Sequence, residues 1–294
     1  MATRYRGIEH PLRGGWLLVP ALAFLAVFFV YPLAMLITRS FTEFRETEAG
    51  VGPFGNYLWF FANDANVTIL VRTFTTALIV TAVTVLVAYP YAYVMTRVSA
   101  RWRMVLLAIV LLTFWTSLMV RNYAWLILFQ RNGLLNALLA SVGLGPVEIL
   151  GTLPAVVIGM SQILLPFMLL PLYASLSSID RGLVLAAQSL GARPSVAFLR
   201  VYLPLSAPGV AAGGLLVFVL ALGFYITPAV LGSPQNSLFS QLIVTQVSDL
   251  LAWGRGGAMA VVLFLVTVAM LGLFWLISNR RELPSPLRAR GGRS

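Results

Sequence analysis

Six long apolar runs leave this chain little choice of fold. They cover residues 16–37, 73–95, 104–129, 153–176, 207–231 and 258–278. Each supplies the roughly 20 residues a helix needs to cross a bilayer. Inside hydrocarbon every backbone N–H and C=O must be paired within the chain, so runs of this kind are expected as helices. The expectation is an all-α integral membrane protein with six transmembrane helices. A tail of residues 1–15 and a basic tail of residues 279–294 flank a membrane domain of residues 16–278. Only 10% of the residues are charged, against about 25% in soluble domains, which fits that class.

The residue types exclude much chemistry. All twenty basic residues are arginine, so neither a phosphate-binding P-loop lysine nor a Schiff-base lysine is available. There is no cysteine, and the one histidine is His10. Thiolate metal sites, disulfides and a serine–histidine–acid triad within the membrane are therefore not expected. No catalytic residue, metal site or cofactor is assigned. The net charge of +11 sits beside apolar spans, which points to membrane orientation and not to nucleic acid.

With the N-terminus placed in the cytoplasm, fourteen arginines fall in inner segments: Arg4, Arg6, Arg13, Arg97, Arg101, Arg103, Arg181, Arg193, Arg200, Arg280, Arg281, Arg288, Arg290 and Arg293. Four fall outside: Arg39, Arg45, Arg131 and Arg255. That imbalance predicts both termini, and residues 177–206, on the cytoplasmic side. The first run follows an arginine-rich start but is too long for a signal-peptide core, so it is expected to be a retained helix. The outer loop of residues 39–66 carries Glu43, Glu46, Glu48 and Asp64. The loop of residues 131–151 has leucines at helical spacing and is expected to lie along the outer membrane surface. Pro90, Pro166, Pro171 and Pro228 punctuate the runs. Two readings stand for them: kinks lining a cavity, or ordinary bundle packing.

Residues 177–206 are unlike their neighbours. Asp180 can cap a helix starting at Arg181. Leu183, Ala187 and Leu190 then share a face, with alanines 186 and 187 exposed to a partner. Gly191 suits the left-handed position that ends a helix, and Pro194 the first turn of the next. That second short helix would carry Val196, Leu199 and Leu203 until Pro204 stops it.

The spacing resembles the EAA loop of permease subunits in ATP-driven, binding-protein-dependent importers. That pattern is Glu-Ala-Ala, three residues, Gly, nine residues, then Ile-x-Leu-Pro. Here it reads Leu185-Ala186-Ala187, Gly191-Ala192, and Val201-Tyr202-Leu203-Pro204. Leu185 departs from the pattern, standing where the family has glutamate. The segments FWTSLMVRNYAW, RNGLLNALL and ILLPFMLLPLYASL are similar to permeases of spermidine/putrescine importers, and within those systems to the first-encoded permease. The resemblance implies a type I ABC importer permease fold in which Leu185, Ala186, Ala187, Gly191, Ala192, Leu203 and Pro204 couple to an ATPase. It further implies a second homologous permease, two cytoplasmic ATP-binding subunits and a periplasmic substrate-binding protein, all at the bacterial inner membrane. Permeases sharing these stretches carry other small amines, opines or aminophosphonates. A secondary transporter is the alternative outside this class, but no acidic residue lies in the six runs, as ion coupling would require.

Trp115, Arg121, Asn122, Tyr123 and Trp125 are the candidates for a translocation path. Arg121 has two readings: it lines the path, or it sits near a membrane face and clamps backbone carbonyls.

Overall fold

The structure is a computed structural model that describes residues 15–44 and 52–279. His10, Arg4, Arg6, Arg13, Arg45, Glu46, Glu48, Arg280, Arg281, Arg288, Arg290 and Arg293 lie outside the described residues. In chain order the helices are α1 (Gly15–Leu25), α2 (Tyr31–Thr42), α3 (Gly55–Ala62), α4 (Asp64–Arg97), α5 (Ala100–Trp115), α6 (Leu118–Phe129) and α7 (Leu134–Ser141). There follow α8 (Leu153–Ser177), α9 (Arg181–Ser189), α10 (Pro194–Ala197), α11 (Leu203–Leu222), α12 (Ile226–Leu231), α13 (Phe239–Val244) and α14 (Trp253–Asn279). No strand occurs among the described residues.

Among the described residues five helical stretches are long and apolar enough to cross a membrane, and a bent pair makes the number six when counted as one span. The bent pair corrects the expectation of one unbroken helix over residues 104–129. α5 ends at Trp115, Thr116 and Ser117 are extended, and the chain resumes as α6 after a 99° bend. The Thr116 hydroxyl donates back to the Leu112 carbonyl at 3.3 Å, serving one of the acceptors that the broken helix exposes. The run of residues 207–231 is corrected too: α11 stops at Leu222, Gly223–Tyr225 turn, and Pro228 lies inside the short α12.

The chain divides into two compact units. One joins the described residues up to Ala62 with those from Thr245 onward. There α2 packs on α14, and Asn56 Nδ2 donates to the carbonyls of Ser40 (2.9 Å) and Glu43 (3.0 Å), tying α3 to the end of α2. The first span, by contrast, buries none of its apolar window.

The other unit, Asn63–Val244, is built on α4, α8 and α11. Each contributes a buried stripe at a spacing of four residues: Val80, Thr84, Ala88 and Ala92; Met160, Leu164, Met168, Leu172 and Leu176; Gly209, Gly213, Val217 and Ala221. Ridges at this spacing interlock, and small residues let backbones come close where lipid gives no hydrophobic drive. At Gly213 a Cβ would stand 2.7 Å from Met168 Sδ and 2.9 Å from the Met168 carbonyl oxygen, so glycine sets the approach of α11 to α8.

Two five-residue π-helical turns, Ala26–Val30 and Phe198–Tyr202, each precede a proline by two positions, Pro32 and Pro204. A proline ring collides with the carbonyl four residues back, and the wider π turn moves that carbonyl away. Pro204 therefore does not stop a short helix, as expected from sequence; residues 194–222 run on as a single membrane-length helix.

Candidate functional site

The segment after α8 is organised by local hydrogen bonds. Asp180 caps α9, its Oδ1 accepting from the Gly182 amide at 2.8 Å. At the other end the Gly191 amide donates to the Gln188 carbonyl (2.9 Å) and the Ala192 amide to the Ala187 carbonyl (3.1 Å). These two bonds form a Schellman closure, which needs a left-handed residue at its corner. Gly191 takes that role with φ of +90°. Pro194 then starts α10 at its first position. The cap, the glycine and the proline thus stand where the sequence placed them.

The exposed and inner faces of α9 differ from the expectation. No residue of the helix is fully buried. The partly buried residues are Val184, Ala187 and Gln188, whereas Leu183 and Leu190 are exposed, Leu190 at 90%. Arg181, bonded to the Thr96 carbonyl, shares a helical face with Val184 and Gln188 and turns that face inward in place of the apolar one. Leu185 and Ala186 are exposed, Ala187 is only half-exposed, and Ala192 is half-buried beside the exposed Gly191. Leu203 and Pro204 are exposed further along the continuous helix.

α9 and the π turn are joined to the bundle by aromatic and arginine contacts that the sequence reading missed. Phe198 stacks on Tyr202, and both meet Tyr93 of α4 edge-on, at 5.5 and 5.4 Å between centroids. Tyr89 also meets Phe198 edge-on, and its hydroxyl bonds with Ser206 Oγ at 3.0 Å. Arg181 donates to the Thr96 carbonyl at the end of α4. The signal available in the sequence was the four-residue spacing of Tyr89 and Tyr93, and of Phe198 and Tyr202.

No protein-family model matches the chain. It is 34% identical over 213 residues to the spermidine/putrescine transport system permease protein PotB of Salmonella typhimurium (strain SL1344), covering 72% of this chain and 74% of that protein. The chain belongs to the ABC transporter permease family. The permease is also 34% identical over 246 residues to the inner membrane ABC transporter permease protein YdcU of Escherichia coli (strain K12), covering 76% and 78% of the two chains. Its fold superposes on a chain of the bacterial alginate ABC transporter in complex with an alginate pentasaccharide-bound periplasmic protein, with a TM-score of 0.69 over 90% of this chain and 93% of that one at 18% identity. It is a transport subunit, and the secondary-transporter alternative falls with this membership.

The five path candidates of the permease do not form one cluster. Trp115 at the end of α5 is 83% exposed, and Tyr123 faces outward at 60%. Asn122 is fully buried, its Nδ2 donating to the Leu118 carbonyl at 2.9 Å while Oδ1 has no partner. Arg121 and Trp125 are intermediate, with Arg121 Nε unpartnered. Trp125 stacks on Phe129 and points its Nε1 at Gln162 Oε1 of α8, 3.4 Å away. Asn122, Trp125 and Phe129 thus share the inward face of α6, at helical spacing. Thr76, Ser161 and Thr227 are further buried side chains whose oxygens have no partner, and the sequence reading passed over them. Their signal was a polar residue inside an apolar run.

Proposed function

We propose that this permease carries a polyamine, spermidine or putrescine, inward across the bacterial inner membrane. The observation carrying the reading is the 34% identity to the spermidine/putrescine permease PotB over most of both chains. The mechanism is alternating access. Two cytoplasmic ATPase subunits close on ATP and press on α9 of this chain and on the matching segment of a second permease. The bundle then opens toward a loaded periplasmic binding protein, and reverts after hydrolysis. Such a shift needs ATPase contacts that differ between the two states.

Polycations pair best with carboxylates, and the acids near the spans are peripheral: Asp64 opens α4, while Glu43, Glu148 and Asp249 lie outside the apolar runs. A carboxylate in a low-dielectric path would hold a polycation too tightly to release it, and conduction needs weak sites. The apolar runs hold no carboxylate, so selection falls to the binding protein. The excess of arginine on one side supports the placement of both termini, and of α9, in the cytoplasm.

Uptake of labelled putrescine and spermidine, measured in a deletion strain with and without the gene restored, tests this reading. Loss of saturable, ATP-dependent uptake on deletion and its recovery on restoration are expected. A second reading is another small amine, an opine or an aminophosphonate. Its support is YdcU, equally identical to this chain and bearing a name that specifies no solute. Unchanged polyamine uptake would favour it.

A further inference from the structure

A cavity of about 440 Å³ opens between the last turn of α4, the first turn of α5, the end of α8 and the inner face of α9. Arg97, Arg103 and Arg181 line it from three different elements, together with Tyr173 and Gln188. Among the described residues none of the three arginines has a carboxylate within 4.0 Å. Arg181 uses one N–H on the Thr96 carbonyl, and Arg97 uses one on the Tyr93 hydroxyl (2.9 Å) while lying over that ring. Arg103 Nε is buried and has no partner at all.

Three guanidinium groups around one cavity repel each other, and a buried donor without an acceptor is costly. An anion with several oxygens in the cavity offsets the repulsion. A phosphate matches best, because guanidinium forks bond pairs of phosphate oxygens, and the Tyr173 hydroxyl and Gln188 amide add neutral donors. The cavity stands at the ends of two membrane-length helices, α4 and α8. Beside it the first turn of α5 turns out Trp102 (65% exposed) and Met104 (71%). Aromatic and apolar side chains of that kind belong at the headgroup level of a membrane.

We propose that this cavity is a phosphate-binding site, filled by the headgroup of an anionic phospholipid, which clamps α9 to the ends of α4, α5 and α8. The ligand bridges the coupling helix to the bundle, so anionic lipid sets how firmly α9 is held. The site rests on no assignment of the transported solute.

The test uses the purified full chain. Native mass spectrometry with phosphatidylglycerol and phosphatidylcholine is expected to show at least about tenfold tighter binding of the first phosphatidylglycerol. The Arg97→Gln/Arg103→Gln double variant loses that preference, while Arg101→Gln, whose side chain is exposed and off the cavity, keeps it. If inorganic phosphate raises the unfolding temperature of the wild type but not of the double variant, with no lipid preference, the site stands and its source is soluble phosphate. A preference that persists in the double variant overturns the proposal. Should that variant not fold, hydrogen exchange of Arg181–Ser189 in wild-type nanodiscs decides: several-fold slowing by phosphatidylglycerol or by inorganic phosphate is expected, and no slowing by either overturns the site.

Discussion

The amide of Ala192 donates to the carbonyl of Ala187 across 3.1 Å, and the corner between them is Gly191 at φ of +90°. This bond turns the chain from α9 into the long helix that begins at Pro194, so it fixes the angle at which α9 meets the bundle. No atom lies within 4 Å of where a Gly191 Cβ would stand, leaving backbone conformation as the whole constraint. A left-handed conformation costs an ordinary residue about 1–2 kcal/mol and asparagine less. Gly191→Val is expected to lower uptake more than ATP hydrolysis, and Gly191→Asn to retain most of both. The two rates, measured together in reconstituted vesicles, check this; normal uptake in the valine variant would refute the role of the corner.

Asp180 acts at the other end of the same helix. Replacing a capping side chain by alanine costs about 1 kcal/mol. Asp180→Ala should therefore speed hydrogen exchange in the first turn of α9 several-fold, and Asp180→Asn should restore protection.

Packing of α11 on α8 depends on Gly213. Even alanine there meets Met168 at 2.7 and 2.9 Å, and one of these contacts is backbone. Overpacking of this kind costs about 1–3 kcal/mol. Gly213→Ala should lower the unfolding temperature in detergent, and Gly213→Leu should lower it further.

Asn122 separates path from packing. Its Oδ1 is buried without a partner, so an apolar side chain of similar size costs little in stability. Asn122→Leu should fold normally, judged by its unfolding temperature, while uptake falls several-fold. Unchanged uptake would assign Asn122 to packing alone.

What the sequence made legible follows from how local the determining physics is. Asp180, Gly191 and Pro194 each act through their own backbone or within two residues of it, and all three stand where spacing put them. The break at Thr116 and Ser117 has no proline or glycine to announce it, and lies inside an apolar run that reads as continuous. Pro204 misleads in the opposite direction, because a π turn ahead of it removes the clash on which its helix-stopping effect depends. The inner face of α9 was hidden because Leu183 and Leu190 are apolar yet exposed, while the polar Gln188 faces the bundle. Among the path candidates, Asn122 and Trp125 turn inward, whereas Trp115 and Tyr123 do not.

Site-directed crosslinking along α9 tests the coupling role most directly, since the natural chain has no cysteine to interfere. Single cysteines are placed at residues 183–190 and the chain is expressed together with the candidate ATPase subunit. Crosslinks that change with ATP are expected from the outward positions Leu183, Ala186 and Leu190, and much weaker ones from Val184 and Gln188, which face the bundle. No crosslink from any of these positions would contradict the docking of α9 on an ATPase.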